Sequence, residues 1–201
     1  MVILIVIATV LVSAQGFKDN SFLNRMAYNP HKINYRNEYY RVFSHGLVHA
    51  DWMHLFVNMF VFYMFARSLQ MHFAYQISMN STILFVLLYV SALPISSAMS
   101  YRKHKDNPYY TAIGASGAVS AVVFACIFYE PWRLLYFFGI IPIPGIIFGA
   151  GYLYYSYYMS KKDIDNIGHD AHFWGALYGF IFPILIKPSS LFDFLSNLLP
   201  F

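Results

Sequence analysis

Six stretches of mainly apolar residues, separated by polar connections, dominate the chain. They cover approximately residues 2–14, 53–75, 83–99, 112–129, 140–158 and 171–186. About 20 apolar residues are enough for an α-helix to cross a bilayer, and several of these stretches are shorter. Others contain Gly, Ser and His, which favours central positions where helices pack closely. The pattern predicts an all-α membrane protein with six transmembrane helices in a single domain, residues 1–201.

The composition indicates a lipid environment. Hydrophobic residues make up 59% of the chain and charged residues 11%, whereas about a quarter of the residues in soluble domains are charged. A soluble domain of this length could not bury so much apolar surface. The formal net charge is +4, and the basic residues are scattered between the apolar stretches. This distribution favours positions beside a membrane and argues against a nucleic-acid partner.

The first apolar stretch is short and has to be distinguished from a signal peptide. No basic region precedes it and no small-residue cleavage site follows it, so we expect an anchor helix. A long connection rich in Tyr and Asn follows, over residues 17–52. The single cysteine, Cys126, excludes an intramolecular disulfide.

Polar residues recur near the starts of the second, fourth and sixth predicted helices. These helices begin on the same side of the membrane, because each is separated from the next by one return crossing. His54, Ser116 and His172 are the polar residues concerned. At about 1.5 Å per residue, each lies roughly one turn below the same interface. Ionisable groups are costly inside a membrane, which makes them candidates for function.

The residue types at these positions suit peptide-bond hydrolysis. In the sequence Gly114-Ala115-Ser116-Gly117-Ala118, glycines flank a hydroxyl at the start of a helix. A neutral imidazole near pH 7 can remove the proton from a serine. We therefore predict Ser116 as nucleophile and His172 as general base. The glycines allow backbone to approach the substrate carbonyl, and the free N–H groups of the first helical turn can face the developing oxyanion.

Two further pairs of residues bear on the predicted site, and the members of each pair lie on one face of their helix. His54 and Asn58 are four residues apart, so they face the same side of the second helix and could both donate to the oxyanion. Gly175 and Gly179 form a G-x-x-x-G pattern after His172, which predicts close packing of the sixth helix on the fourth.

Together these motifs resemble the rhomboid family of intramembrane serine proteases. Residues 114–118 match the family's nucleophile motif, residues 171–179 match its base-bearing last helix, and His54 with Asn58 matches its oxyanion pair. The sequence Tyr-Arg-Val-Phe-Ser-His at 40–45 is similar to the family's W-R-x-x-T-H motif. The resemblance implies a six-helix core with a membrane-embedded first loop. It also implies cleavage of transmembrane protein substrates without metal or cofactor, in a bacterial inner membrane and near its outer face.

The chain departs from the family pattern at two positions. Four residues after the nucleophile, where bacterial members often have a tyrosine that stacks on the base, this chain has Ser120. The departure implies that His172 is oriented by another group, such as Trp174 or a different aromatic residue. Where the family often has a glutamate at the end of the second helix, this chain has Gln70, which is equally compatible with an ordinary interfacial residue.

The charge distribution conflicts with the orientation that the resemblance implies. Most Lys and Arg residues lie in the connections after the first, third and fifth predicted helices. The positive-inside rule would place these connections, and the active site, in the cytoplasm. We follow the resemblance and expect the active site to open to the outer face, with arginines of the first connection packed against protein or headgroups.

Two other classes of function remain open from the sequence. A metal enzyme or metal transporter could use imidazoles near the same interface, with Ser116 incidental, although no H-E-x-x-H motif is present. The candidate ligands would be His45, His49, His54, His169, Asp170 and His172. The other class is an inactive relative that binds membrane helices.

Overall fold

The computed structural model describes residues 1–77, 79–137, 139–162 and 167–199. The prediction of a mainly helical chain is confirmed, since 75% of the structure is helical. The six long helices are α1 (Val2–Lys18), α5 (Trp52–Gln76), α6 (Ser81–His104), α7 (Ser116–Tyr129), α8 (Gly145–Ser160) and α9 (His169–Ile186). The shorter elements are α2 (Asn20–Met26), α3 (Pro30–Arg36), α4 (Arg41–Ser44), a 3-10 turn (His45–Leu47), β1 (Leu134–Phe137), β2 (Ile141–Pro144) and α10 (Ser190–Leu198).

The six long helices correspond to the six apolar stretches, with different ends. Residues 140–144 were predicted as helix, but residue 140 lies in a turn and residues 141–144 pair with β1 in an antiparallel hairpin whose register places Leu134 opposite Pro144. Pro142 and Pro144 lack the N–H groups that a helix interior requires, so α8 begins only at Gly145. Residues 112–115 precede α7 and are not helical.

Length and hydropathy single out one helix among the described residues. Ser81–His104 alone is long and apolar enough to qualify as a membrane span by these two criteria, with a mean hydropathy of 1.9. Val2–Lys18 and Ser116–Tyr129 are apolar but shorter.

Helix α7 lies at the centre of the molecule. Every residue from Gly117 to Tyr129 is buried. The packing between α7 and α9 depends on small residues, because a Cβ at Gly175 would overlap the carbonyl group of Gly117. In the same way, a Cβ at Gly179 would overlap the backbone of Ala121. The two backbones are therefore in direct contact along two successive turns.

The connection between α1 and α5 is a folded unit built around a buried arginine. The side chain of Arg41 is only 3% exposed. It donates hydrogen bonds to the carbonyl oxygens of Asn24 (2.8 Å) and Ala27 (2.7 Å) and pairs with Glu38. These bonds satisfy the buried guanidinium, as a charge out of water requires. Arg41 is therefore bonded within the protein interior, whereas the side chain of Arg25 in the same connection is 63% exposed.

Two backbone contacts join this unit to the segment before α7. Tyr28 and Ala112 exchange hydrogen bonds of 2.9 and 3.0 Å in an isolated antiparallel bridge. The N–H of Gly114 donates to the carbonyl oxygen of His45 at 2.9 Å. The position of the segment that precedes Ser116 is therefore set by the first connection.

Candidate active site

Ser116 and His172 meet at one end of the α7–α9 contact. Ser116 is the first residue of α7, and His172 lies in the first turn of α9. The Ser116 Oγ and the His172 Nε2 are 2.7 Å apart, which is hydrogen-bond distance. The two residues are 56 positions apart in sequence, and the close approach of the helices at Gly117 and Gly175 brings them together.

The backbone before Ser116 requires a glycine. Gly114 has a φ of +112°, a conformation that residues with a Cβ rarely adopt. A Cβ here would also lie 2.9 Å from the Cε1 atom and 3.0 Å from the Nε2 atom of His54. Gly114, which the sequence placed inside the fourth predicted helix, thus lies in the loop before α7, where it lets the imidazole of His54 approach the segment before Ser116.

His54 and Asn58 lie on the face of α5 that lines the same cavity as Ser116 and His172. The backbone N–H of Ala50 points to the His54 Nδ1 at 3.5 Å, a long contact that favours the tautomer with its proton on Nε2. Asn58 is 7% exposed, and its Nδ2 donates to the carbonyl oxygen of His54 at 2.9 Å. This bond orients the amide of Asn58 and uses one of its two N–H groups.

A cavity of about 1900 Å³ extends from the serine–histidine pair along the molecule. Near the pair its lining is polar and includes His54, Lys103 and Asp170. Beyond it, the cavity runs between α5 and α8, and we call this part the α5–α8 gap. Its walls are apolar, with Val57, Phe60, Val61, Met64 and Phe65 on α5 and Phe148 on α8. From His54 to Phe65 the wall on α5 is roughly 16 Å long, by the rise of a helix.

Comparison with known proteins identifies the family. The Rhomboid domain matches residues 36–189, which is well over half of the chain. The chain belongs to the rhomboid family. A search of curated proteins found no significant match. Rhomboid proteins are integral membrane proteins and are generally serine intramembrane proteases, although the family also includes inactive members.

Bacterial rhomboids often have a tyrosine four residues after the serine, where this chain has Ser120. In this chain the aromatic ring beside His172 comes from a different helix. The ring of Tyr152, on α8, stacks on His172 with centroids 6.2 Å apart and planes at 29°. Its hydroxyl is 2.7 Å from the Oγ of Ser120. Trp174, named from the sequence as one candidate, instead packs edge-on against Phe173. Tyr152 could not be singled out from the sequence, because nothing in the spacing of α8 distinguishes it from the other tyrosines.

The second departure from the rhomboid pattern lies far from the site. The Gln70 side chain points to the Oγ1 of Thr82 at 3.5 Å, between the end of α5 and the start of α6. This contact agrees with the interpretation of Gln70 as an interfacial polar residue that joins two helices.

A buried histidine links α1 to the segment before Ser116. The Ser13 Oγ donates to the carbonyl oxygen of Leu47 at 3.0 Å and therefore accepts a hydrogen bond from the His49 Nδ1, also at 3.0 Å. The His49 Nε2 then faces the backbone N–H of Ala115 at 3.5 Å. Burial lowers the pKa of His49 to about 3, so the ring is neutral at physiological pH and can accept this bond. No pattern in the sequence pointed to Ser13.

The histidines do not form a metal site in the described part of the chain, where no group of three or more His, Cys, Asp or Glu residues is arranged to hold a metal ion. Burial lowers the pKa of His45 to about 4. His169 packs edge-on against His172, with centroids 6.0 Å apart. Asp170 faces Lys103 at 3.9 Å. The metal alternative therefore has no geometric support among these residues.

Proposed function

We propose that this rhomboid protein is a serine endopeptidase that cleaves membrane-protein substrates in or near their transmembrane segments. The observation that carries the proposal is the 2.7 Å contact between the Ser116 Oγ and the His172 Nε2. It joins a nucleophile and a base from two helices that touch backbone to backbone. We also propose that α1 and α5–α9 span a bacterial inner membrane, with this pair near the outer face.

The dyad performs the reaction in two steps. The Ser116 Oγ attacks the scissile carbonyl carbon while the His172 Nε2 takes the hydroxyl proton. The tetrahedral intermediate collapses to an acyl-enzyme as the C–N bond breaks, and the imidazolium returns its proton to the leaving amine. A water molecule, deprotonated by the same imidazole, then hydrolyses the ester and regenerates Ser116.

The negative charge of each tetrahedral intermediate is met by donors on two helices. The His54 Nε2–H and the second N–H of Asn58 come from α5, which lines the cavity beside Ser116. The first turn of α7 adds the backbone N–H groups of Ser116 and Gly117, which have no partner within the helix. Fixed donors around a developing oxyanion are usually the largest single contribution to such catalysis.

The shape of the cavity fits a substrate that arrives through the bilayer. The apolar walls of the α5–α8 gap can receive a transmembrane helix, and the polar end of the cavity can receive a short extended segment that carries the scissile bond. The lipid bilayer and transmembrane substrates are therefore the proposed partners.

Labelling with a fluorophosphonate probe tests the proposal against its alternatives. We expect covalent labelling of the purified protein in detergent and none of the Ser116→Ala variant. An inactive binder of membrane helices would not be labelled. A metal enzyme would lose its activity on treatment with a chelator, whereas the proposed protease would retain both labelling and cleavage of a model transmembrane substrate.

A further inference from the structure

We propose that Tyr152 positions the imidazole of His172, with Ser120 as the anchor that holds the tyrosine in place. The inference rests on the proposed function, since it assigns a role relative to the general base. It rests structurally on two contacts of one side chain. The ring stacks on His172 at 6.2 Å and 29°, and the hydroxyl lies 2.7 Å from the Ser120 Oγ.

The anchor lies on the same helix face as the nucleophile. Ser116 and Ser120 are four residues apart in α7, so their side chains point in similar directions, one turn apart. Tyr152 reaches across from α8 to Ser120 and lays its ring beside the histidine of α9. One side chain thereby links the helix of the nucleophile to the helix of the base.

The ring of Tyr152 is also held from its other sides. Phe124 of α7 packs against it with centroids 5.6 Å apart, and Phe148 of α8 stacks at 5.9 Å and 24°. Aromatic rings favour such tilted and offset arrangements at these separations. A ring confined by two phenylalanines and a hydrogen bond provides a fixed wall for the imidazole.

The imidazole needs this wall because the hydrogen bond to Ser116 does not by itself prevent the ring from turning. Proton transfer from the Ser116 Oγ requires the His172 Nε2 to stay within hydrogen-bond reach as the bond to substrate forms. A stacked ring restricts tilting of the imidazole out of that line. Tyr152 is thus a positioning residue, which acts on the substrate through His172.

The molecule contains a matched pair with no contact to the base. The Ser91 Oγ of α6 and the Tyr178 OH of α9 are also 2.7 Å apart. Tyr178 packs against Phe182 and is not part of the cavity lining. Variants of this pair remove the same chemical groups from a helix–helix contact, so they report the purely structural cost of such a change.

The experiment compares Tyr152→Leu, Tyr152→Phe and Ser120→Ala with Tyr178→Leu, Tyr178→Phe and Ser91→Ala. Each protein is assayed for thermal stability, for kcat and KM on a model transmembrane substrate, and for the rate of fluorophosphonate labelling. Labelling needs the base but no docked transmembrane helix, so it separates positioning of His172 from a loss of substrate contacts.

We expect Tyr152→Leu to lower kcat and the labelling rate together by about 10²-fold, because a misplacement near 1 Å has that cost. KM should change less than twofold. Tyr152→Phe keeps the ring and should recover most of the rate, and Ser120→Ala should match it with a loss of a few-fold. The Tyr178 and Ser91 variants should keep wild-type kcat and labelling.

Three results would overturn the inference. One is wild-type labelling by Tyr152→Leu; another is a rise in KM with labelling unchanged, which would make Tyr152 a substrate contact only. The third is an equal rate loss in the Tyr178 variants at equal stability. If Tyr152→Leu does not fold, wild-type rates for both Tyr152→Phe and Ser120→Ala overturn the role of the anchor. If the wild-type protein itself is not labelled, the proposed function fails first, and the two failures are distinguishable.

Discussion

The α7–α9 contact and the α5–α8 gap are built from opposite kinds of residue. In the contact, Gly175 and Gly179 bring backbone against backbone, and no side chain separates the helices. In the gap, large side chains such as Phe60 and Met64 stand 54% and 53% exposed on α5 and face a cavity. A backbone contact fixes the distance between two helices, whereas flexible side chains can move aside when a substrate enters. The pair that needs a fixed distance lies on the first, and the proposed path for substrate follows the second.

The largest expected loss of activity comes from removing the Ser116 hydroxyl or the His172 imidazole, which meet at one end of the α7–α9 contact. Ser116→Ala and His172→Ala should each lower cleavage of a model transmembrane substrate by about 10⁴-fold or more, since nucleophile and base act as a unit. The variants should keep the wild-type thermal transition in detergent. Substantial residual turnover in either variant would refute the dyad.

The next largest loss of activity is expected from substitution of Asn58 on α5, which lines the same cavity as Ser116. Asn58→Ala should lower kcat by about 10²–10³-fold with a smaller change in KM, because the oxyanion exists only in the transition state. Steady-state kinetics measures both constants. A variant with normal kcat and raised KM would show that Asn58 binds substrate and does not stabilise the oxyanion.

Widening the α7–α9 contact tests whether its separation sets the catalytic geometry. Gly179→Val should push α9 away from Ala121 and lower kcat by about 10²-fold, although every catalytic side chain remains. Thermal stability should fall as well, because the added side chain meets backbone.

Gly151→Val is the matched control for this substitution. Gly151 is also a helical glycine, but a Cβ there would meet nothing within 4 Å. We expect wild-type turnover from Gly151→Val. Wild-type turnover and stability in both variants would contradict the importance of the contact.

The smallest effect is expected in the gap itself. Phe60→Ala removes an exposed apolar wall and should raise KM about fivefold, equivalent to about 1 kcal/mol of lost apolar contact. The fluorophosphonate labelling rate should not change, because the small probe does not need the gap. A change in labelling without a change in KM would mean that the gap influences the dyad and not substrate binding.

Much of the candidate site could be predicted from the sequence, because the predicted transmembrane arrangement fixes the depth at which each helix begins. The predicted alternating crossings place the starts of the second, fourth and sixth helices at one level, which predicts that His54, Ser116 and His172 lie near one another. The glycines after His172 predicted a close neighbour for α9, because small residues have few other uses inside a helix. The mainly helical fold followed from the apolar stretches in the same way.

The tertiary structure alone decided what lies around these residues. The orientation of His172 by Tyr152, and the link from Ser13 through His49 to Ala115, depend on which faces of separate helices meet. Hydropathy records how deep a residue lies but not the direction in which its helix is rotated, so one tyrosine of α8 could not be told from the next. The hairpin before α8 was also missed. Pro142 and Pro144 argue against a helix interior there, but only the pairing with β1 shows that residues 141–144 form a strand.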